Sequence, residues 1–208
     1  LCLHSGTLIA VKGMSSIVNR QDTEHLLKID DIFGKIYSLY GAPPDWQRPE
    51  GFVSLVHIIL EQQVSLQSAK AHFDRLNAYL PAFTPAEMIK LTDAEMRQCQ
   101  VSRQKAVYLR ALASAINEGN LNLQDMRHLP GDEVRRQLKS VKGIGDWTAS
   151  IYLMFCLQAK DIFPWGDIAV INTIKELTPA RNHEEIAVRA GRWKPYRMLT
   201  PTGMAESD

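Results

Sequence analysis

The chain has 208 residues, of which 45% are hydrophobic and 23% are charged, enough to bury one substantial core or two small ones. No run approaches the roughly 20 apolar residues that a membrane helix needs, so we expect no membrane-embedded segment. The formal net charge of +1 gives no global signal for nucleic acid, so any such contact must be local.

The amino-terminal stretch carries few structural signals. Leu1 to Met14 has no basic cluster ahead of its apolar residues, which is atypical of a secretory signal, and the chain does not begin with Met. We therefore expect residues 1–20 to be disordered or cloning-derived, with Met14 as a candidate start, and residues 21–208 to form one folded unit.

The three cysteines, Cys2, Cys99 and Cys156, are far apart and form no CxxC pair. An odd number at these spacings predicts neither a disulfide framework nor a zinc or iron–sulfur site. A reducing, cytoplasmic location is the default.

Helical periodicity dominates the chain. Apolar residues recur at intervals of three and four over 26–40, which predicts one helix ending near Gly41, and again over 52–60. Pro43 and Pro44 predict a loop between these two helices. Further helices are predicted from Ser65 to Tyr79, Pro85 to Ile89, Asp93 to Gln98 and Arg103 to Asn117. About eight helices with short connections and no strand ladder predict a compact all-α fold.

A glycine hairpin separates two of the later helical segments. The helical pattern of Asp132 to Lys139 is interrupted over Ser140 to Gly145 and resumes over Asp146 to Phe155. Gly143 and Gly145 would let the backbone turn tightly with positive φ and approach another surface closely. Amides at the start of the second helix would then point outward, at the positive end of its dipole, towards a phosphate oxygen.

A Gly-terminated helix followed by an ordinary turn would explain the same glycines, because short motifs of this kind are common. The charge pattern favours the phosphate interpretation, since basic residues outnumber acidic ones around the hairpin. The basic residues are Arg135, Arg136, Lys139 and Lys142, and the acidic ones are Asp132, Glu133 and Asp146.

Asp167 lies at the start of another apolar-periodic helix that ends before Pro179. One interpretation is an N-cap, in which the carboxylate accepts amide hydrogen bonds and contributes about 1 kcal/mol. The other is a catalytic carboxylate that stabilises an oxocarbenium-like sugar or orients a water. The two interpretations are compatible, because a cap position favours the ionised form.

Taken together, these segments resemble the helix-hairpin-helix DNA glycosylase superfamily, specifically its 3-methyladenine DNA glycosylase II branch. The likeness rests on LKSVKGIGDWTA at residues 138–149 and FPWGD at residues 163–167, and extends to residues 58–65 and 192–197. It implies an all-α, two-lobed fold with the active site in the cleft between the lobes. We expect no counterpart of the extra amino-terminal β domain that some members carry.

The resemblance also implies roles for individual residues. Asp167 matches the catalytic aspartate, Gly143 and Gly145 match glycines whose amides meet phosphate, and Gln63 matches a wedge that fills the gap left by an extruded nucleotide. A polar residue at a helix end would explain Gln63 equally well. The DNA-binding candidates are Gln63, Ser65, Lys142, Gly143, Ile144, Gly145 and Thr148.

Trp147 occupies the position where family members with lyase activity carry a lysine. Without that amine no Schiff base with the sugar is expected there, which implies a monofunctional, hydrolytic enzyme. Trp46, Trp147 and Trp165 are the candidates for stacking on a base in the pocket, and core packing would explain each of them equally well.

The resemblance implies no required cofactor, but family hairpins often hold a sodium or potassium ion on main-chain carbonyls. Here these carbonyls would belong to Lys139, Lys142 and Ile144. The end of the chain departs from the family, which usually continues into a further aromatic-rich helix. Pro201 and Gly203 disfavour such a helix, so we expect one wall of the base pocket to differ.

The expected function is hydrolysis of the N-glycosidic bond of alkylated purines, such as 3-methyladenine and 7-methylguanine, in double-stranded DNA during base excision repair. Alternatives are a non-catalytic DNA-binding module, a glycosylase for another lesion such as uracil or a mismatched base, and a helical interaction scaffold. We expect a monomer, because no heptad seam is evident. Its location would be beside the nucleoid in a bacterium or in the nucleus of a eukaryote.

Overall fold

The computed structural model describes residues 20–41 and 46–199. The expected disordered segment, the loop at Pro43 and Pro44, and the carboxy-terminal Pro201 and Gly203 lie outside the described residues, apart from Arg20, which begins the first helix. Within residues 20–41 and 46–199 the chain is helical and contains no strand, so the prediction of an all-α fold is confirmed.

Eleven α-helices follow one another through the described residues. In chain order they are α1 (Arg20–Ile29), α2 (Asp31–Tyr40), α3 (Phe52–Glu61), α4 (Leu66–Tyr79), α5 (Pro85–Lys90), α6 (Asp93–Gln98), α7 (Arg103–Asn117), α8 (Gly131–Lys139), α9 (Asp146–Ile151), α10 (Ile168–Leu177) and α11 (His183–Gly191). Short 3₁₀ turns lie at Met126–His128 and Arg197–Leu199, and a π-helical turn, Tyr152–Cys156, continues α9.

The four helices predicted between residues 65 and 117 are confirmed as α4 to α7, with ends within one residue. Each begins after a hydroxyl side chain that accepts a hydrogen bond from an amide of the first turn. These caps are Ser65, Thr84, Thr92 and Ser102.

The prediction of one helix over residues 26–40 was wrong, because Asp30 divides it into α1 and α2. Asp30 has an extended backbone (φ −150°, ψ 125°), and its carboxylate accepts a hydrogen bond from the amide of Ile32. The same buried carboxylate accepts a hydrogen bond from Trp193 Nε1 at 2.8 Å. The predicted end of the helix near Gly41 is confirmed, since Gly41 follows α2 with φ 80°.

Helix α3 lies at the centre of the core and packs against α4, α7 and α9. Most of its apolar residues are buried, among them Leu55, Ile58 and Ile59, whereas Val53 is exposed. The buried hydroxyl of Tyr152, in the π-helical turn, accepts a hydrogen bond from the amide of Gly51 at 3.0 Å, just before α3 begins. This hydrogen bond fixes the start of α3 beside the end of α9.

None of the helices within residues 20–41 and 46–199 has the length and apolar content needed to cross a bilayer.

Candidate active site

Three segments of the chain meet at a cleft of about 460 Å³. They are the end of α3 with the turn that follows it, the start of α9 from Gly145 to Thr148, and the residues from Gly166 to Ile168 that lead into α10. Because α3 and α9 are packed together in the core, the cleft is built on the most buried part of the fold.

Asp167 lines this cleft and is only partly exposed. Its Oδ1 accepts a hydrogen bond from the amide of Val170 at 3.2 Å, so the N-cap interpretation is confirmed. Its Oδ2 accepts a hydrogen bond from Trp147 Nε1, also at 3.2 Å. A Cβ on Gly166 would lie 3.0 Å from Trp147 Cβ, so a larger residue before Asp167 would crowd Trp147. The N-cap therefore coexists with a carboxylate that faces a cavity.

The two hairpin glycines differ in backbone conformation and in the space around them. Gly143 has φ 94°, and a Cβ there would lie 2.1 Å from Cγ of the Tyr108 ring. Gly145, by contrast, has φ −96°, and no atom of the described residues would lie within 4 Å of a Cβ there. The prediction of positive φ at both glycines was therefore wrong for Gly145, which has the extended backbone that precedes α9. The fold itself does not require a glycine there.

Two of the predicted DNA contacts are turned towards the protein. The Ile144 side chain is 4% exposed, and its amide donates to the carbonyl of Val141 at 3.1 Å. Thr148 is 1% exposed, and its hydroxyl accepts a hydrogen bond from Gln62. The structure corrects the prediction for both residues, because these groups are already used within the fold.

The other predicted DNA contacts lie at the surface. Gln63 is exposed and has φ 58°, an uncommon conformation for a side chain of this size. Ser65 is exposed and caps α4. Lys142 is exposed and forms no ion pair within the described part of the chain.

The predicted excess of positive charge around the hairpin is largely neutralised. Lys139 and Arg135 both pair with Asp146, at 2.8 Å and 3.5 Å. Arg136 pairs with Glu133 at 2.6 Å. Of the four basic residues, only Lys142 therefore keeps an uncompensated charge among the described residues.

Only one of the three candidate tryptophans is among the residues that line the cleft, and that residue is Trp147. Trp165 stacks on the imidazole of His183, with ring centroids 4.1 Å apart. Trp46 packs against Phe155, with centroids 5.8 Å apart. For Trp46 and Trp165 the packing explanation therefore describes the structure better than the base-pocket explanation.

Gln62, which the sequence did not single out, joins the turn after α3 to the hairpin. Its side-chain amide donates to the carbonyl of Gly143 and to the hydroxyl of Thr148, both at 2.9 Å. The pair of adjacent glutamines was the one available signal, but it did not indicate which of the two faces the protein. Gln62 fixes the exposed Gln63 relative to the hairpin.

Glu61 was also missed, and it is a second carboxylate in the cleft lining. It accepts hydrogen bonds from His57 Nδ1 at 2.8 Å and from Arg48 Nη1 at 3.0 Å. Burial raises the pKa of this carboxyl, but the hydrogen bonds from His57 and Arg48 outweigh burial and hold its pKa below the ordinary value.

The carbonyls of Lys139, Lys142 and Ile144 remain a prediction as cation ligands. Among the described residues, none of these three oxygens accepts a hydrogen bond from a turn, a cap or a side chain. The carbonyls of the hairpin are therefore compatible with an oxygen-ligated ion. The described residues contain no cluster of His, Cys, Asp or Glu that could hold a metal.

Comparison with known proteins agrees with this geometry. The model of the HhH-GPD superfamily of base excision DNA repair proteins matches residues 56–198, which include the hairpin and Asp167. The chain is 30% identical to YfjP of Bacillus subtilis over 83% of this chain and 66% of that protein. It is 27% identical to DNA-3-methyladenine glycosylase 1 of Schizosaccharomyces pombe over 74% of this chain and 70% of that protein. The chain thus spans about two thirds of these curated relatives.

A solved structure of 3-methyladenine DNA glycosylase Mag1 from Schizosaccharomyces pombe, in complex with abasic DNA, has a similar fold. The TM-score is 0.75 at 23% identity, over 85% of this chain and 91% of that one.

Proposed function

Since the chain belongs to the HhH-GPD superfamily of base excision DNA repair proteins, we propose that it is a monofunctional DNA glycosylase. It would hydrolyse the N-glycosidic bond of alkylated purines, with 3-methyladenine and 7-methylguanine as substrates. The relatives named as 3-methyladenine glycosylases support this substrate class.

The observation that carries the proposal is the position of Asp167 in the cleft, hydrogen-bonded to Trp147 and next to the hairpin. An alkylated purine is cationic and leaves its sugar readily, so catalysis needs mainly electrostatic support for the oxocarbenium-like sugar. The Asp167 carboxylate would supply this support. The Trp147 ring would stack on the electron-poor base.

The residue types in the cleft favour water over an amine as the nucleophile. Trp147 stands where lyase members of the family carry a lysine, and within residues 20–41 and 46–199 no lysine lines the cleft. The cleft lining therefore supplies no lysine amine to form a Schiff base with the sugar, and water would be the nucleophile that attacks the sugar.

The hairpin would hold the DNA while the damaged nucleotide rotates into the cleft. Gly145 offers open space for a phosphate, and Lys142 supplies an exposed positive charge beside it. Gln63, held out by Gln62, is the proposed wedge. A sodium or potassium ion on the carbonyls of Lys139, Lys142 and Ile144 would stiffen the hairpin.

We further propose that the protein acts as a monomer on double-stranded DNA that contains damaged bases, without a required cofactor. Its substrate would place it beside the nucleoid of a bacterium or in a eukaryotic nucleus.

The test is release of free 3-methyladenine and 7-methylguanine from methylated duplex DNA by the wild type and by Asp167→Asn. This substitution removes the charge and keeps the shape. Asp74→Asn, an exposed residue paired with Lys70 on α4, is the control for loss of one negative charge. We expect the wild type and Asp74→Asn to release both bases. We expect the rate of release by Asp167→Asn to be lower by about a hundredfold or more, which is the usual effect of removing one group that stabilises transition-state charge.

The alternatives give different results in the same assay. A folded wild type that binds DNA but releases no methylated purine contradicts the proposed substrate. Release of uracil or a mismatched base, dependent on Asp167, would then identify another lesion. Binding without release of any base would identify a non-catalytic module, and the absence of salt-dependent DNA binding would identify an interaction scaffold.

A further inference from the structure

A carboxylate lies next to the point where the proposed function places a DNA phosphate. Asp146 directly follows Gly145 and is the first residue of α9. Its side chain is 59% exposed, so it faces the solvent from which DNA approaches. A free carboxylate here would repel a phosphate, which makes its presence in the hairpin notable.

Two basic side chains from α8 compensate this carboxylate. Lys139 Nζ lies 2.8 Å from both oxygens of Asp146, and Arg135 Nη1 lies 3.5 Å from Oδ1. The Asp146 carboxylate therefore binds both cations.

Lys139 and Arg135 differ in the number of contacts that hold their side chains in place. Lys139 is 42% exposed, and exposed ion pairs of this kind are weak and exchange readily. Arg135 is also anchored by Ser150 Oγ at 3.1 Å and by the carbonyl of Asp146 at 3.3 Å. Without the Asp146 charge, Arg135 would stay in place while the Lys139 ammonium group became free to reach a phosphate.

We propose that Asp146 sets the affinity for undamaged duplex DNA by holding the Lys139 ammonium group away from the phosphates beside the hairpin and by neutralising the charge of Arg135. This inference rests on the proposed function and adds to it a residue that limits binding. A glycosylase must leave the many undamaged sites that it samples, and phosphate contacts supply most of the affinity for such sites. Lys142 remains the uncompensated charge that draws the hairpin to DNA.

The test compares Asp146→Asn with Glu133→Gln in the full chain. Both substitutions remove one negative charge and free an arginine or lysine of α8, since Glu133 pairs with Arg136. Only Asp146 lies at the hairpin. Fluorescence anisotropy gives the Kd of each protein for an undamaged duplex at 50 to 200 mM salt, and thermal unfolding confirms that each variant is folded.

We expect Asp146→Asn to bind the undamaged duplex roughly fivefold more tightly than the wild type at the low end of this salt range. The plot of log K against log salt should be steeper by about 0.9 for each added phosphate contact. We expect Glu133→Gln to match the wild type. Equal tightening in both variants, or none in Asp146→Asn, would overturn the inference while leaving the proposed function in place. A wild type without salt-dependent DNA binding would overturn both.

Discussion

The indole Nε1 of Trp147 donates a hydrogen bond to Oδ2 of Asp167 at 3.2 Å. The other carboxylate oxygen accepts a hydrogen bond from the amide of Val170 at the same distance. One oxygen is thus held by the hairpin helix α9 and the other by α10, the helix that Asp167 caps. The hairpin and the carboxylate form one hydrogen-bonded unit, and loss of the indole donor would release one oxygen without removing the cap.

Trp147→Phe tests this bond, because phenylalanine keeps an aromatic ring and lacks the donor. A hydrogen bond to a charged group contributes about 1.5 to 3 kcal/mol, and 1.36 kcal/mol corresponds to a tenfold change in rate. We expect single-turnover release of methylated purines to fall by about ten- to a hundredfold. Trp165→Phe is the matched control, since Trp165 stacks on His183 away from the cleft lining. An equal loss in both variants would show that the indole donor has no special role.

Gly143→Ala should destabilise the protein. The backbone at Gly143 has φ 94°, and the added methyl carbon would lie 2.1 Å from the Tyr108 ring. The strained backbone and the displaced ring together cost about 3 kcal/mol, which lowers the Tm by roughly 6 to 12 °C in a chain of this size. Thermal unfolding followed by circular dichroism measures the change.

Gly145→Ala is the comparison for that variant, because it adds the same methyl group where no atom lies within 4 Å. We expect the Tm of this variant to stay close to that of the wild type and its affinity for duplex DNA to fall. A methyl group would occupy the space through which a phosphate approaches the hairpin. Normal DNA affinity in a folded Gly145→Ala variant would remove Gly145 from the proposed contact.

The regular parts of the fold could be predicted from local sequence. Helices α4 to α7 have hydroxyl caps at their starts, and local caps are visible in a sequence. The break at Asp30 could not be predicted, because the apolar period runs through it. The buried partner that holds its carboxylate is Trp193, 163 residues away in the chain.

The candidate site could be predicted only where particular residue types recur at the spacing of a known motif. The hairpin glycines and Asp167 form a pattern at fixed spacing, and the structure brings Gly145 and Asp167 to one cleft. The roles of Gln62 and Gln63 could not be distinguished from the sequence, because the two residues have identical side chains. In the structure Gln62 faces the hairpin and Gln63 faces the solvent. The two partners of Gln62, the carbonyl of Gly143 and the hydroxyl of Thr148, lie far along the chain in the hairpin and in α9.

Glu61 should make stability sensitive to acid. Its pKa in the folded protein is below the ordinary value, so its contribution to stability is fully present above the pKa of the unfolded chain, near 4.5. That contribution is lost as the pH falls through the lower pKa of the folded state. We expect the free energy of unfolding in urea to drop between pH 5 and pH 3, and to drop less in Glu61→Gln.

The difference between the two proteins isolates Glu61 from the other carboxylates that titrate in this range. At pH 7, Glu61→Gln should be the less stable protein, because His57 and Arg48 lose their charged partner. Identical pH dependence in the wild type and the variant would mean that the Glu61 carboxylate does not stabilise the fold through these two contacts.

Asp30→Asn should cost much more stability than Asp31→Asn, although both residues contact Arg189. The Asp30 side chain is 1% exposed and also binds Arg192 and Trp193. Asparagine is as good an N-cap as aspartate, so the substitution removes the charge and keeps the cap of α2. Removal of one partner from a buried ion pair costs about 3 to 5 kcal/mol, whereas an exposed pair contributes about 0 to 1 kcal/mol.

Urea unfolding at pH 7 measures both variants. Asp31 is 67% exposed, so we expect its variant to unfold close to the wild type and the Asp30 variant to lose about 3 kcal/mol. The bond from Trp193 to Asp30 joins α2 to the segment after α11. Trp193 also contacts Phe163, which lies in the loop that carries Asp167. Equal and small losses in the two variants would mean that the apolar contacts alone hold these ends of the chain together.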